Sequence, residues 1–207
     1  WGAYDFGDMG LKSPALQETV TVNGSGKVLK RVTQSYAYEY EYDDAGRLVK
    51  EIWNIASSGA LSKRIEYVND AAGRATSAIE YNKSGQFSCK YVYDYDEDGN
   101  LIEKLTYKRT TVTDENTEYL YTDEIYVYED GRQTEYIKYG SGSATADPKL
   151  TSRKTYEAYN GNPDKILETS YSSPKTDGEG NTTWKKAATA YIYEYADFVE
   201  NGRTDWA

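Results

Sequence analysis

Histidine is absent from the 207 residues, and cysteine occurs once. Without imidazole the chain lacks the usual general base and the commonest metal ligand, which removes Ser-His-Asp, Cys-His and His-zinc chemistry. The lone Cys89 cannot form a disulfide within the chain and belongs to no zinc or haem spacing. Proline is scarce at 4 residues and phenylalanine at 3. Leu, Ile, Val and Phe together fall below about 20 %, a level that in a charged chain flags disorder. Nor does any apolar run approach the roughly 20 residues that a membrane-crossing helix needs. Bases are outnumbered, 24 against 34 acids, for a net charge of −10. Such a surface argues against nucleic acid or anionic lipid as a main partner.

What the chain does have is 23 tyrosines. Each can bury on the order of 150–250 Å² while its hydroxyl stays wet or hydrogen-bonded, so rings supply the apolar area that aliphatics do not. Order is therefore expected, and it is expected to be built on tyrosine. Cys89 reads as a small strand residue. The sequence opens at Trp1 without a methionine, which fits removal of a signal or lipoprotein leader.

Glycine turns recur with a fixed rhythm. Asp44-Ala45-Gly46-Arg47, Ala71-Ala72-Gly73-Arg74, Glu97-Asp98-Gly99-Asn100, Glu129-Asp130-Gly131-Arg132 and Glu200-Asn201-Gly202-Arg203 share one pattern. Gly46, Gly73 and Gly99 are 27 and 26 residues apart, and Gly59 and Gly85, 26 apart, fall midway between them. A turn about every 13 residues leaves strands of roughly ten, which predicts an up-and-down antiparallel meander of hairpins. Tyr36, Tyr38, Tyr40 and Tyr42 alternate with Ala37, Glu39 and Glu41, placing four rings on one strand face. Tyr91, Tyr93 and Tyr95 repeat this, as do Tyr126 with Tyr128 and Tyr191, Tyr193 with Tyr195.

At the first hairpin a two-residue type I′ turn would force Ala45 to positive φ, at a cost of about 1–2 kcal/mol. A type I turn with a bulge at Gly46 is expected instead, with Asp43 facing Arg47 and Tyr42 facing Leu48. Asp130-Gly131 suits either form. The strands leaving these turns, such as Leu48–Trp53 and Leu101–Leu105, carry apolar and charged groups on both faces. The expectation is an all-β, open, largely single-layer sheet stabilised by cross-strand ladders, with closure into a barrel as the second choice. Residues 111–118, 140–149 and 172–183 read as longer loops. Residues 1–18 read as an irregular leader, with Trp1, Tyr4 or Phe6 docking on the sheet, and 19–207 as one repeat domain.

Tyr40-Glu41-Tyr42-Asp43-Asp44-Ala45-Gly46-Arg47-Leu48 and Tyr93-Asp94-Tyr95-Asp96-Glu97-Asp98-Gly99-Asn100-Leu101 resemble the YD repeats of Rhs-type bacterial surface and toxin proteins. The full Tyr-Asp-x-x-Gly-Arg-Leu core stands at 42–48. Copies at 67–74 and 128–132 are degenerate, and Tyr195-Ala196-Asp197 with Gly202-Arg203 is a stretched one. The resemblance implies β-hairpin repeats, bacterial origin, export to the periplasm or cell surface, and binding or encapsulating roles in place of catalysis. The chain lacks the toxin or protease segment of large Rhs proteins and is too short for a closed shell. It looks like a small stand-alone secreted or lipoprotein-type module of the Bacteroides kind.

Asp94, Asp96 and Asp98, followed by Gly99, match the opening of a calcium loop, in which alternate carboxylates converge on one hard cation. Along an extended strand the three lie nearly 7 Å apart, so chelating Ca²⁺ would require the chain to curl. With 34 acids, paired carboxylates for glycoside hydrolysis arise by chance, and their separation is not readable from sequence. Trp53, Trp184, Tyr38 and Tyr40 are candidate sugar-stacking residues, weighed against rings that pack on one another. The reading is a non-enzymatic exported module for adhesion, scaffolding or carbohydrate contact, whose partner is a carbohydrate or another surface protein. The alternatives are a carbohydrate-active or calcium-dependent accessory domain, and a spacer whose edge strands pair with a partner.

Overall fold

In the computed structural model the described residues are 18–159, 162–179 and 181–194. The expected leader, apart from Glu18, and the stretched repeat at Tyr195–Arg203 lie outside them. The chain divides into two compact units, Trp1–Phe87 and Ser88–Ala207. The first holds β1 (Glu18–Val22), β2 (Val28–Thr33), β3 (Tyr36–Tyr42), β4 (Leu48–Ile55), β5 (Leu61–Asn69) and β6 (Ala75–Asn82). The second holds β7 (Phe87–Tyr95, from Ser88 on), β8 (Leu101–Arg109), β9 (Glu118–Glu129), β10 (Arg132–Gly140), β11 (Lys149–Tyr159), β12 (Asn162–Thr176) and β13 (Thr182–Glu194).

Within each unit strand order follows chain order and every pairing is antiparallel. First and last strands of a unit do not pair with each other among the described residues, so each unit is an open all-β meander. The only helical element among the described residues is a single 3-10 turn at Glu115–Thr117, in the second unit. Among the described residues no helix is long and apolar enough to cross a membrane.

One five-residue turn makes most of the tight connections. It runs Asn23–Lys27, Asp43–Arg47, Asp70–Arg74 and Asn82–Gln86 in the first unit, and Asp96–Asn100 and Asp177–Asn181 in the second. In each, the first residue's N–H donates to the last residue's carbonyl. The first side chain's Oδ1 accepts the last residue's N–H in return, at 2.7–3.1 Å. An Asn or Asp is the residue whose short side chain closes such a loop on its own backbone. The fourth position needs positive φ, and Gly26, Gly46, Gly73, Gly85 and Gly99 supply it at 74–88°. Tyr42 pairs with Leu48 as the sequence predicts. The Asp130-Gly131 hairpin takes the other form: Glu129 pairs with Arg132, and both turn residues have positive φ, 52° and 73°.

Of the three expected long loops, two are present, between β8 and β9 and between β10 and β11. The third is a correction: β12 and β13 run through 172–183 and meet at the Asp177–Asn181 turn. Asp177 closes that turn as Asp43 does, and Pro174 does not interrupt β12.

The interior is thin. Among the described residues the buried apolar side chains are Ile65, Ala78 and Phe87 in the first unit and Cys89, Leu101 and Tyr156 in the second. Most of the described tyrosines are half-buried, neither core nor fully wet. The sheet is therefore stabilised by contacts along its faces more than by a sealed core.

Candidate functional site

Register assembles side chains from successive strands into rows. In the first unit Arg31, Tyr38, Trp53, Lys63 and Asn82 are direct cross-strand neighbours from β2 to β6. The next row on that face is Tyr40, Glu51, Ile65 and Glu80. Three of the sequence candidates, Tyr38, Tyr40 and Trp53, thus share one face. Tyr38 meets Trp53 edge-on, with centroids 4.8 Å apart and planes at 77°, and Tyr36 lies 6.0 Å from the same indole. Lys63 Nζ sits 4.0 Å over the Trp53 ring, and the Arg31 guanidinium 5.7 Å over Tyr38. These contacts follow ring electrostatics, since the negative face of a ring attracts a cation and the positive edge of another ring.

Both cations are also paired with acids, Lys63 with Glu80 at 2.9 Å and Arg31 with Glu18 at 2.8 Å. The Trp53 indole N–H donates to Glu51. Burial, and then the Glu51 charge, push the Tyr40 hydroxyl above its ordinary value. Ile55, opposite Tyr36, remains exposed.

Trp184 stands in the second unit against Tyr171, at 6.5 Å and 63°. Arg153 lies 5.6 Å over the Tyr171 ring. An Arg-Tyr-Trp set is therefore present in each unit.

The candidate calcium residues do not converge. Asp94 Oδ1 accepts the Tyr95 N–H, and the residue lies opposite Glu103. Asp96 closes its turn, accepting the backbone and side-chain N–H groups of Asn100. That side-chain bond, against some desolvation, leads the causes that hold Asp96 below the ordinary carboxylate range. Asp98 lies in the turn itself. Among the described residues no three such ligand side chains form a group able to hold a metal.

The Gly-Arg signature has a structural role beyond the expected strand pairing. Arg47 Nε donates to Asp43 at 2.7 Å, and Arg74 Nε to Asp70 at 2.8 Å. Arg47 also reaches the next turn of its row, donating through Nη1 to the Asp70 carbonyl. Lys27 does the same to the Gly46 carbonyl. The turns of the first unit are thereby linked hairpin to hairpin. Asp43 and Asp70 are held below their ordinary value, chiefly by the backbone N–H of Arg47 and Arg74.

Glu124, in the second unit, is a buried carboxylate that reading single strands misses. Register places it between Lys104 and Lys138, with Tyr93 beyond Lys104. Lys138 Nζ lies 2.7 Å away, Lys104 Nζ 3.7 Å, and the Tyr126 hydroxyl donates at 3.2 Å. Burial works to raise its pKa, but the two ammonium groups and the hydroxyl outweigh it, and the carboxyl stays below the ordinary range. Burial first, then Glu124, push Tyr126 far up and Tyr136 up to about 12. Lys104, Glu124 and Lys138 meet only through the register of β8, β9 and β10, which a bulge between Gln133 and Glu135 shifts, so no reading of the strands one at a time brings them together. On the other face Glu103 and Asp123 are raised, both mainly by burial, Glu103 further by Asp123 and Asp94 and Asp123 by Glu124.

No protein-family profile matches the sequence, and no curated protein does. Solved structures give low-scoring likenesses. A DUF3836 family protein from Parabacteroides distasonis aligns at TM-score 0.36 and 15 % identity, over 55 % of this chain and 98 % of that one. A mutant Photorhabdus luminescens Tc holotoxin pore aligns at TM-score 0.35 and 15 % identity, over 84 % of this chain, which spans 10 % of the pore chain.

Proposed function

We propose that the chain is a non-enzymatic, exported bacterial β-hairpin-repeat module, of the YD-repeat kind its turns resemble. It works at the periplasmic or outer cell surface in adhesion, scaffolding or carbohydrate contact. The observation that carries this reading is the half-buried row of Tyr38 and Trp53 beside Tyr40, bordered by exposed Ile55 and by Arg31 and Lys63. Rings held in place across strands lose little freedom when a flat apolar surface settles on them, and the neighbouring Glu51, Glu80 and Asn82 offer hydrogen bonds to hydroxyl groups. The carboxylates of this unit are largely occupied by cations and turn amides, which favours contact over acid–base chemistry.

A glycan array and a hydrolase panel, run on the purified chain and on Trp53→Ala and Trp184→Ala, test the reading. Retention of a glycan class that Trp53→Ala abolishes, without turnover, is the expected result. Sustained hydrolysis lost in Glu103→Gln would place the chain among enzymes and defeat it.

A further inference from the structure

We propose that Asn23 is a self-modification site, at which the folded turn converts its own asparagine to aspartate. The inference rests on the turn and not on the functional reading above. Asn23 is followed by Gly24, which is exposed and whose N–H has no acceptor among the described residues. A Cβ placed there would meet no atom within 4 Å beyond its two chain neighbours, so no other part of the fold covers the residue and solvent reaches it. Asn23 Oδ1 accepts three hydrogen bonds, from Ser25 N–H at 3.0 Å, Ser25 O–H at 2.9 Å and Lys27 N–H at 2.9 Å. Donors already aimed at a carbonyl oxygen stabilise the negative charge that develops there when its carbon is attacked.

The step balances with water as the only co-reactant. The Gly24 nitrogen gives its proton to solvent and bonds to Asn23 Cγ, while the C=O electron pair moves onto Oδ1. As the carbonyl re-forms, the side-chain nitrogen takes a proton and leaves as ammonia, closing a five-membered imide. Water then opens the ring. Attack at Cγ gives aspartate, and attack at the Asn23 main-chain carbonyl gives the isoaspartyl link.

The aspartate product would stand four residues before Lys27, as Asp43 and Asp70 stand before Arg47 and Arg74, where the pairs measure 2.7 and 2.8 Å. The turn would become a further copy of the charged clamp. The molecule holds its own control. Asn82 makes the same turn, accepting from Ser84 N–H at 2.9 Å and Gln86 N–H at 3.1 Å, but its next residue is Lys83. There the side chain crowds the attacking nitrogen and no hydroxyl donates to Oδ1.

The test incubates the full chain in neutral buffer and follows each asparagine by peptide mapping that separates aspartyl from isoaspartyl products. Asn160-Gly161 and Asn201-Gly202, outside the described residues, are read as separate peptides. Asn23 is expected to gain a single dalton at least about tenfold faster than Asn82, a barrier difference of about 1.4 kcal/mol. Gly24→Ala should bring it down to the Asn82 rate, and Lys83→Gly should raise Asn82. Equal rates at Asn23 and Asn82, or an Asn23 that keeps its amide when folded while the urea-unfolded chain converts, would overturn the proposal. So would an Asn23→Asp variant that loses its β circular dichroism spectrum.

Discussion

The row Arg31, Tyr38, Trp53, Lys63 in the first unit sets cations against rings, whereas the row Tyr93, Lys104, Glu124, Lys138 in the second sets cations against a carboxylate. Both arise from the same hairpin register, and both leave their lysines about one-third exposed. The anion is what differs. Glu80, Lys63's partner, sits at the end of its row's face, while Glu124 is enclosed between two lysines and two tyrosines. A surface cation–ring contact contributes about 0.5–1 kcal/mol. A buried carboxylate matters more through what its loss leaves behind, since two ammonium groups would then crowd each other without their counter-charge. The first unit thus distributes its stability over many small contacts, and the second concentrates part of it at buried carboxylates, Glu124 and also Glu168 beside Lys154.

Substitution separates the two regimes. Glu124→Ala should lower the unfolding free energy by about 2–3 kcal/mol, below the range for a fully buried pair because the lysines retain water. Lys63→Ala should cost no more than about 1 kcal/mol. Urea midpoints at constant slope measure both. Equal losses would show that the carboxylate is no keystone and that the rows differ only in composition.

The meander, the alternating rings and the Asp43–Arg47 register were legible in the sequence because each depends on local chemistry: a period of two, a glycine at positive φ, an Asx side chain closing its own turn. Asn23, Asn82 and Asp177 were not recognised as members of that turn family, since the pattern was anchored on glycine and arginine and not on the first residue. The extension of β12 and β13 through 172–183 was missed for the same reason: Ser, Pro and Gly content suggested a loop, but pairing across the sheet overrode it. Trp53, Tyr38 and Tyr40 were identified from residue type. Their meeting with Arg31 and Lys63, and the enclosure of Glu124, depend on which strand residues stand opposite one another, and that is fixed by bulges at several pairings that no single strand reveals.

Turn chemistry gives a smaller contrast between the units. At Gly46, φ is 76° and the first-unit clamp closes around it. Gly46→Ala therefore costs about 1–2 kcal/mol, with the Lys27 side chain having to shift as well. At Asp130 in the second unit φ is 52°, and the residue already bears that strain in the two-residue form. Asp130→Gly should be neutral or stabilise by no more than about 0.5 kcal/mol, because Asp tolerates this region better than most side chains. If Gly46→Ala proved as mild as Asp130→Gly, the bulged turn would not be the element that holds the first unit in register.

Acid titration is expected to give the finest separation. Asp43 and Asp70 in the first unit lie below their ordinary value of 3.8, so the stability they lend is present above that value and is lost as pH falls through their folded pKa. Asp96, Glu118 and Glu124 in the second unit behave likewise. Glu103 and Asp123 have the opposite sign. Raised above 4.5 and 3.8 by burial, and Glu103 also by Asp123 and Asp94, they penalise the folded state above their folded pKa. That penalty is relieved as pH falls through the raised value, because the folded state then binds the proton more readily than the unfolded chain. Stability should therefore rise slightly on going from neutral into mild acid, and fall only when the lowered carboxylates begin to protonate. Removing the charge by Glu103→Gln should raise stability at neutral pH and flatten the rise, leaving the acid fall unchanged. A melting temperature that declines steadily from neutral pH downward in the native chain would mean that Glu103 and Asp123 are better solvated or better partnered than their position between β7, β8 and β9 implies.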